Sequence, residues 1–122
     1  MSYDIRFAVK VAGADKDIYA VIGHPEYDSP TYNLRQIFVK CMDWDYDQGE
    51  WYRMDEVIPK IEHGVHELAF HEKKYKPLEP KNGWGQVSSA MMCLQSILDW
   101  FKDPWNRGWN EDIPIECIYM AW

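Results

Sequence analysis

Scarcities narrow the class of this chain first. Its 3 cysteines are an odd number without paired spacing, which disfavours a disulfide scaffold and points to a reduced, cytoplasmic protein. No apolar run approaches the roughly 18 residues of a membrane span, and no signal-peptide core follows Met1. Positive charge is in deficit: 13 Lys and Arg stand against 20 Asp and Glu, a formal charge of −7. Direct nucleic-acid binding relies on Lys and Arg to displace counterions, so none is expected. Internal repeats, low-complexity tracts and Gly/Ser linkers are also lacking, and residues 1–122 read as a single domain. Apolar residues, by contrast, are plentiful. A hydrophobic content of 47% excludes intrinsic disorder, and 7 Trp with 8 Tyr make an acidic chain unusually aromatic.

Periodicity gives the elements. Tyr3, Ile5, Phe7, Val9 and Val11 alternate with Asp4, Arg6, Ala8 and Lys10, the period of a half-buried strand. Residues 12–16 read as a turn and 18–22, ending at Gly23, as the returning strand of a hairpin. After a loop at 24–31, Leu34, Ile37, Phe38, Cys41 and Met42 fall at amphipathic-helix spacing. Asn33 is its expected N-cap, with Gln36 placed for a capping box. Residues 42–53 read either as a loop or as a small hairpin in which Trp44 and Tyr46 face Trp51. A second helix is expected after an Asp55 cap, with Val57, Ile58, Ile61, Val65, Leu68 and Ala69 as its stripe. Pro59 is tolerated in its first turn, and Gly64 marks a close contact. Residues 73–85 read as a loop. Val87, Ala90, Met91, Leu94, Ile97, Leu98 and Phe101 mark a third helix that Pro104 stops, and residues 113–122 form a last strand. The expected fold is α+β. A small antiparallel sheet, the N-terminal hairpin plus the C-terminal strand, is covered by about three helices in the order ββαααβ. Its open edges offer a route to a homodimer.

Few residues nominate chemistry. Asp43, Asp45, Asp47 and Glu50 resemble the start of an EF-hand loop, but Gln48 stands where that motif needs Gly and Met54 where it needs Glu. A solvated acidic loop or hairpin is the reading that remains. His63 and His66 share a helix face at metal-ligand spacing, yet no His-Glu-x-x-His pattern or second ligand cluster accompanies them. Surface histidines are expected there, with no metal and no cofactor. Cys41, Cys93 and Cys117 fall on or beside apolar faces, and Ser88 and Ser89 lack a nucleophile elbow. No phosphate-loop or dinucleotide fingerprint occurs, so no catalytic residue is nominated. Asn82-Gly83-Trp84-Gly85 reads as a turn and helix cap whose amides would also suit an anion.

The aromatics say more. Trp84, Trp105 and Trp109 stand in loops beside Gly and Pro, Arg107 sits between two Trp, and Tyr27 and Tyr32 flank the first long loop. Such side chains serve as interface anchors. They equally plug the ends of a small core, and the sequence leaves both roles open.

Several segments resemble a known group. They are Met1-Ser-Tyr-Asp-Ile5, Thr31-Tyr-Asn33, the run from Cys41 to Gly49, Glu79-Pro-Lys-Asn-Gly-Trp-Gly85 and the ending from Ile113 to Trp122. Together they resemble a family of small proteins encoded by phages and mobile elements of gut Clostridia. The resemblance implies a genomic setting in which small acidic proteins act as anti-defence factors, including inhibitors of CRISPR nucleases. It carries over no catalytic residues. The leading expectation is therefore a non-enzymatic, anti-CRISPR-like binding protein whose partner is a host nuclease or another defence component. Asp43, Asp45, Asp47 and Glu50 would imitate nucleic-acid charge, and Trp84, Trp105 and Trp109 would anchor the contact. The alternative is a sponge for a nucleotide-like small molecule. Tyr32, Trp84 and Trp109 would stack a base, while the amides of 82–85 and Arg107 hold phosphate. A third reading is a small metal-dependent or hydrolytic enzyme around His63 and His66. None involves a membrane.

Overall fold

The alternating N-terminal segment buries Tyr3, Ile5 and Phe7. The strand it forms, β1 (Arg6–Val11), lies inside a four-stranded antiparallel sheet. The computed structural model describes residues 3–11, 18–103 and 118–122. β2 (Ile18–Gly23) returns along one side of β1, and β4 (Ile118–Ala121) lies along the other, with Phe7 opposite Met120 and Val9 opposite Ile118. The two-residue β3 (Tyr52–Arg53) pairs with β4 and completes the order β2-β1-β4-β3. The expected hairpin and its pairing with the C-terminal strand are present. β3 was not anticipated, because two residues are too few to show a period. The turn at 12–16 and the start of the last strand at 113–117 lie outside the described residues.

The three apolar stripes form α1 (Arg35–Met42), α2 (Met54–Phe70) and α4 (Val87–Lys102), so the fold is α+β and the order ββαααβ holds. Part of the stretch expected as loop is helical: α3 (Glu72–Tyr75), followed by a 3-10 turn at Lys76–Leu78. Tyr75 accounts for this corner. Its ring is buried, and its hydroxyl donates to Glu67 Oε1 at 2.8 Å. That bond first, and then Lys74 Nζ at 3.3 Å, hold the Glu67 carboxyl below the ordinary carboxylate range. A lowered value makes this contribution complete above the ordinary range, and it is lost as pH falls through the folded value.

The helix ends differ from expectation. A 3-10 turn (Tyr32–Leu34) leads into α1, and its cap is Thr31, whose Oγ1 accepts from Asn33 N at 3.4 Å. Asn33 is therefore inside the turn, not ahead of it. α2 starts directly from β3, with Arg53 in the capping position. Asp55 sits in the first turn and accepts from Arg53 Nε at 3.1 Å. α1 ends on Asp43 in the left-handed region, φ 50, its amide donating to Lys40 O at 3.3 Å.

α1, α2 and α4 converge at Gly64. A Cβ there would lie 2.9 Å from Met42 Cγ and 3.0 Å from Leu94 Cδ1. Gly64→Val is expected to lower stability by about 1–3 kcal/mol through overpacking, despite the better helix propensity of any other ordinary residue. Urea unfolding measures it, and a variant as stable as the parent would contradict this packing.

Candidate functional site

Most aromatics of the acidic stretch belong to the core. Trp122 is buried with its ring centroid 4.7 Å from that of Tyr46, 5.2 Å from Phe38, 6.0 Å from Tyr3 and 6.5 Å from Trp44. The Tyr46 hydroxyl donates to that of Tyr3 at 3.1 Å. Trp51 stacks on Tyr19 at 4.8 Å. Trp44 and Trp51 are thus accounted for by packing within the chain.

Arg35 ties this cluster to the acidic loop. Its guanidinium lies 4.7 Å from the centre of the Tyr46 ring, and Nη2 donates to Tyr46 O at 2.9 Å and to Asp45 Oδ1 at 3.1 Å. Asp45 therefore has a cation partner inside its own chain, and Asp43 is the left-handed end of α1. Asp47 donates its amide to the Tyr52 hydroxyl at 2.8 Å, and Gly49 donates its own to Trp122 O at 2.7 Å. The carboxylates of Asp43, Asp45, Asp47 and Glu50 stay exposed on a loop pinned from beneath. That is a charged surface but not a metal cage. Of the stretch 42–53 read as loop or hairpin, residues 43–51 are a loop, Met42 ends α1 and Tyr52–Arg53 form β3, and the Trp44/Tyr46-to-Trp51 hairpin does not form.

Trp84 behaves differently. Asn82 Oδ1 accepts from Trp84 N at 2.9 Å, and Gly83 N donates to Pro80 O at 3.2 Å. Gly83 and Gly85 adopt φ of 79 and 118, which other L-residues rarely reach. Gly85 also lies so near the 31–34 turn that a Cβ would stand 3.2 Å from Leu34 Cδ2. The backbone on both sides of Trp84 is thus held, while its indole is 70% exposed. Tyr32, on the same turn, packs on Tyr3 at 5.2 Å and keeps an exposed edge. The fold therefore brings the 82–85 loop against the 31–34 turn, some fifty residues away in sequence, through Gly85 and Leu34. The amides of Gly83 and Trp84 are already donated within the loop, which weakens the phosphate cradle expected there. Val87 N likewise donates to Glu79 Oε1 at 3.4 Å.

Two concave surfaces meet the 31–34 turn. One groove, of about 880 Å³, includes Tyr32, Arg35, Lys40, Asp45 and Lys81 in its walls. A second hollow, of about 570 Å³, includes Tyr27, Thr31, Trp84 and Ser89. Trp105, Arg107 and Trp109 lie outside the described residues. His63 and His66 are exposed on α2, and among the described residues no group of three His, Cys, Asp or Glu is placed to hold a metal ion. Cys41 and Cys93 are buried, and burial pushes both thiols up, Cys41 to about 12. Neither is a thiolate nucleophile at neutral pH. No helix among the described residues is long and apolar enough to cross a membrane. Arg35 escaped the sequence reading because its partners lie ten and eleven residues on, beyond any helical period. Comparison of the chain with protein families, with characterised proteins and with solved structures finds no match.

Proposed function

We propose that this chain is a non-enzymatic binding protein whose contact surface centres on Trp84 and extends over the adjoining 31–34 turn, with Tyr32, to the acidic loop. The observation that supports this is an indole 70% exposed on a backbone held by Asn82, two left-handed glycines and the 31–34 turn. An exposed ring gains little from folding, but a pre-positioned one loses little freedom on contact, which is what an interface anchor requires. The charge of −7 favours a partner with a basic surface, because it steers the encounter. The finer reading, consistent with the resemblance to phage and mobile-element proteins, is an anti-defence inhibitor. It would act in the host cytoplasm and occupy the basic channel of a nuclease or similar defence component. The test is binding of purified defence nucleases to the immobilised chain at rising salt, with Trp84→Ala alongside. Trp84→Ala is expected to weaken binding roughly 30-fold, a hot-spot loss of about 2 kcal/mol, with thermal stability unchanged. No binding across the panel, or binding indifferent to Trp84→Ala, removes the proposal.

One observation favours the sponge as a second reading: the Tyr32 ring shares a groove with Arg35, Lys40 and Lys81. Melting in the presence of a cyclic-nucleotide panel separates the two. A tight ligand raises Tm by mass action, whereas a protein-binding surface leaves it unmoved.

A further inference from the structure

The hollow at Trp84 is one end of a longer furrow. It adjoins a second hollow of about 560 Å³ through Tyr27, floored by Met91 and Met92 with Gln95 beyond. That in turn shares Glu26, Ser96 and Asp99 with a third of about 300 Å³. The three lie end to end between α4 and the segment 24–31. With a rise of about 1.5 Å per residue along the sixteen residues of α4, the furrow is roughly 24 Å long. Its far wall is held in place: Tyr27 N donates to Ser96 Oγ at 3.4 Å, Ile5 N to Asp28 O at 2.9 Å and Tyr3 N to Pro30 O at 2.8 Å.

The furrow is chemically graded. One end presents Trp84, the middle presents Met92, which is 59% exposed, and the other end presents Glu26 and Asp99. Among the described residues, no Lys or Arg lines any of the three hollows. Methionines form adaptable apolar floors, which suits a side chain supplied from outside. The carboxylates of Glu26 and of Asp99, which also accepts from Gln95 Nε2 at 2.9 Å, suit a Lys or Arg from outside. A small ligand would fill one hollow and leave the others, and nucleic acid would be repelled by the acidic end.

We propose that the furrow receives one amphipathic peptide segment of a partner protein, with apolar side chains over Met91, Met92 and Trp84 and a Lys or Arg at the Glu26/Asp99 end. The proposal rests on the reading of Trp84 as a contact anchor and names the class of occupant. The probe is a fluorescein-labelled fourteen-residue Leu/Lys peptide with Leu at helical spacing, titrated by anisotropy against the full chain. Met92→Asp adds negative charge, so general attraction to the peptide would tighten binding, whereas loss of an apolar seat weakens it. Met92→Asp and Asp99→Lys are each expected to weaken binding at least tenfold. Glu62→Lys, which makes the same charge change on the exposed face of α2, is expected to alter it less than twofold. Thermal melting confirms that each variant is folded. The proposal is overturned if the peptide does not bind, if Met92→Asp binds as well as the parent, or if Glu62→Lys weakens binding as much as Asp99→Lys. Nuclease binding that depends on Trp84 but ignores Met92 and Asp99 would overturn the furrow and leave the contact-surface reading standing.

Discussion

Trp122→Ala is expected to lower stability by about 3–5 kcal/mol, the range for truncating a large buried aromatic. The last residue of the chain is 2% exposed and meets Tyr3, Phe38, Trp44 and Tyr46. Antiparallel pairing of β4 with β1 sets Ala121 opposite Arg6, which carries the following residue toward the N-terminal end of β1 and Tyr3. Removing the indole leaves a cavity between the sheet and α1 and takes away the ring that packs on Tyr46 beneath the acidic loop, although the main-chain bond from Gly49 N to Trp122 O is kept. A domain of this size holds only about 5–15 kcal/mol in total. The change should therefore lower Tm by roughly 10–20 °C. Trp122→Phe is expected to cost less, because it keeps an aromatic ring in the cluster and removes an indole Nε1 that is buried with no partner among the described residues. Thermal and urea melts of the two variants decide the matter. An Ala variant within 1 kcal/mol of the parent would show that Trp122 is not the centre of this cluster.

The same cluster shows what a linear reading can reach. Alternation from Tyr3 to Val11 and three helical stripes are local patterns, and they yielded the hairpin, α1, α2, α4 and the contact at Gly64. Trp100 lies beside the α4 stripe and still stacks on Phe7 at 3.9 Å, since α4 meets the sheet as well as α2. A single-stripe template cannot register that wider apolar arc. Asp43 reads as one more solvated carboxylate until its left-handed backbone shows it ending α1. Of the proposed contact surface, the loop settings of Trp84 and Tyr32 mark them as candidates, and both keep exposed surface in the fold. The approach of their two loops is not legible, because it depends on Gly85 lying against Leu34 across some fifty residues. The furrow was hidden for a similar reason: Met91 fits a core stripe, and only the path of segment 24–31 makes its edge a floor.

Alkaline unfolding should begin well before the backbone itself is attacked. Among the described residues, four groups in the core are held neutral by burial: Cys41 and Cys93, and the phenols of Tyr46 and Tyr75. Desolvation is the leading cause for each. For Tyr46 and Tyr75 the hydroxyl's hydrogen bonds, to Tyr3 and to Glu67, reinforce it. In the unfolded chain these groups titrate at ordinary values, 9.0 for the thiols and 10.0 for the phenols. Below pH 9 neither state ionises, and their contribution to stability is fully present. Above it the unfolded chain releases protons that the folded chain retains, so stability falls as pH rises toward the folded values. Each group steepens the fall by up to about 1.4 kcal/mol per pH unit. For Cys41, whose folded value is about 12, the window spans pH 9 to 12. Once the phenols join above pH 10, the combined slope is enough to exhaust a marginal fold between about pH 10 and 11. Urea midpoints measured from pH 7 to 10.5 should be level at first and then drop steeply, and Cys41→Ala should flatten the drop by one group's share. A midpoint that stays level to pH 10.5, or rapid reaction of Cys41 and Cys93 with a thiol reagent in the native protein at pH 8, would contradict the burial on which this rests.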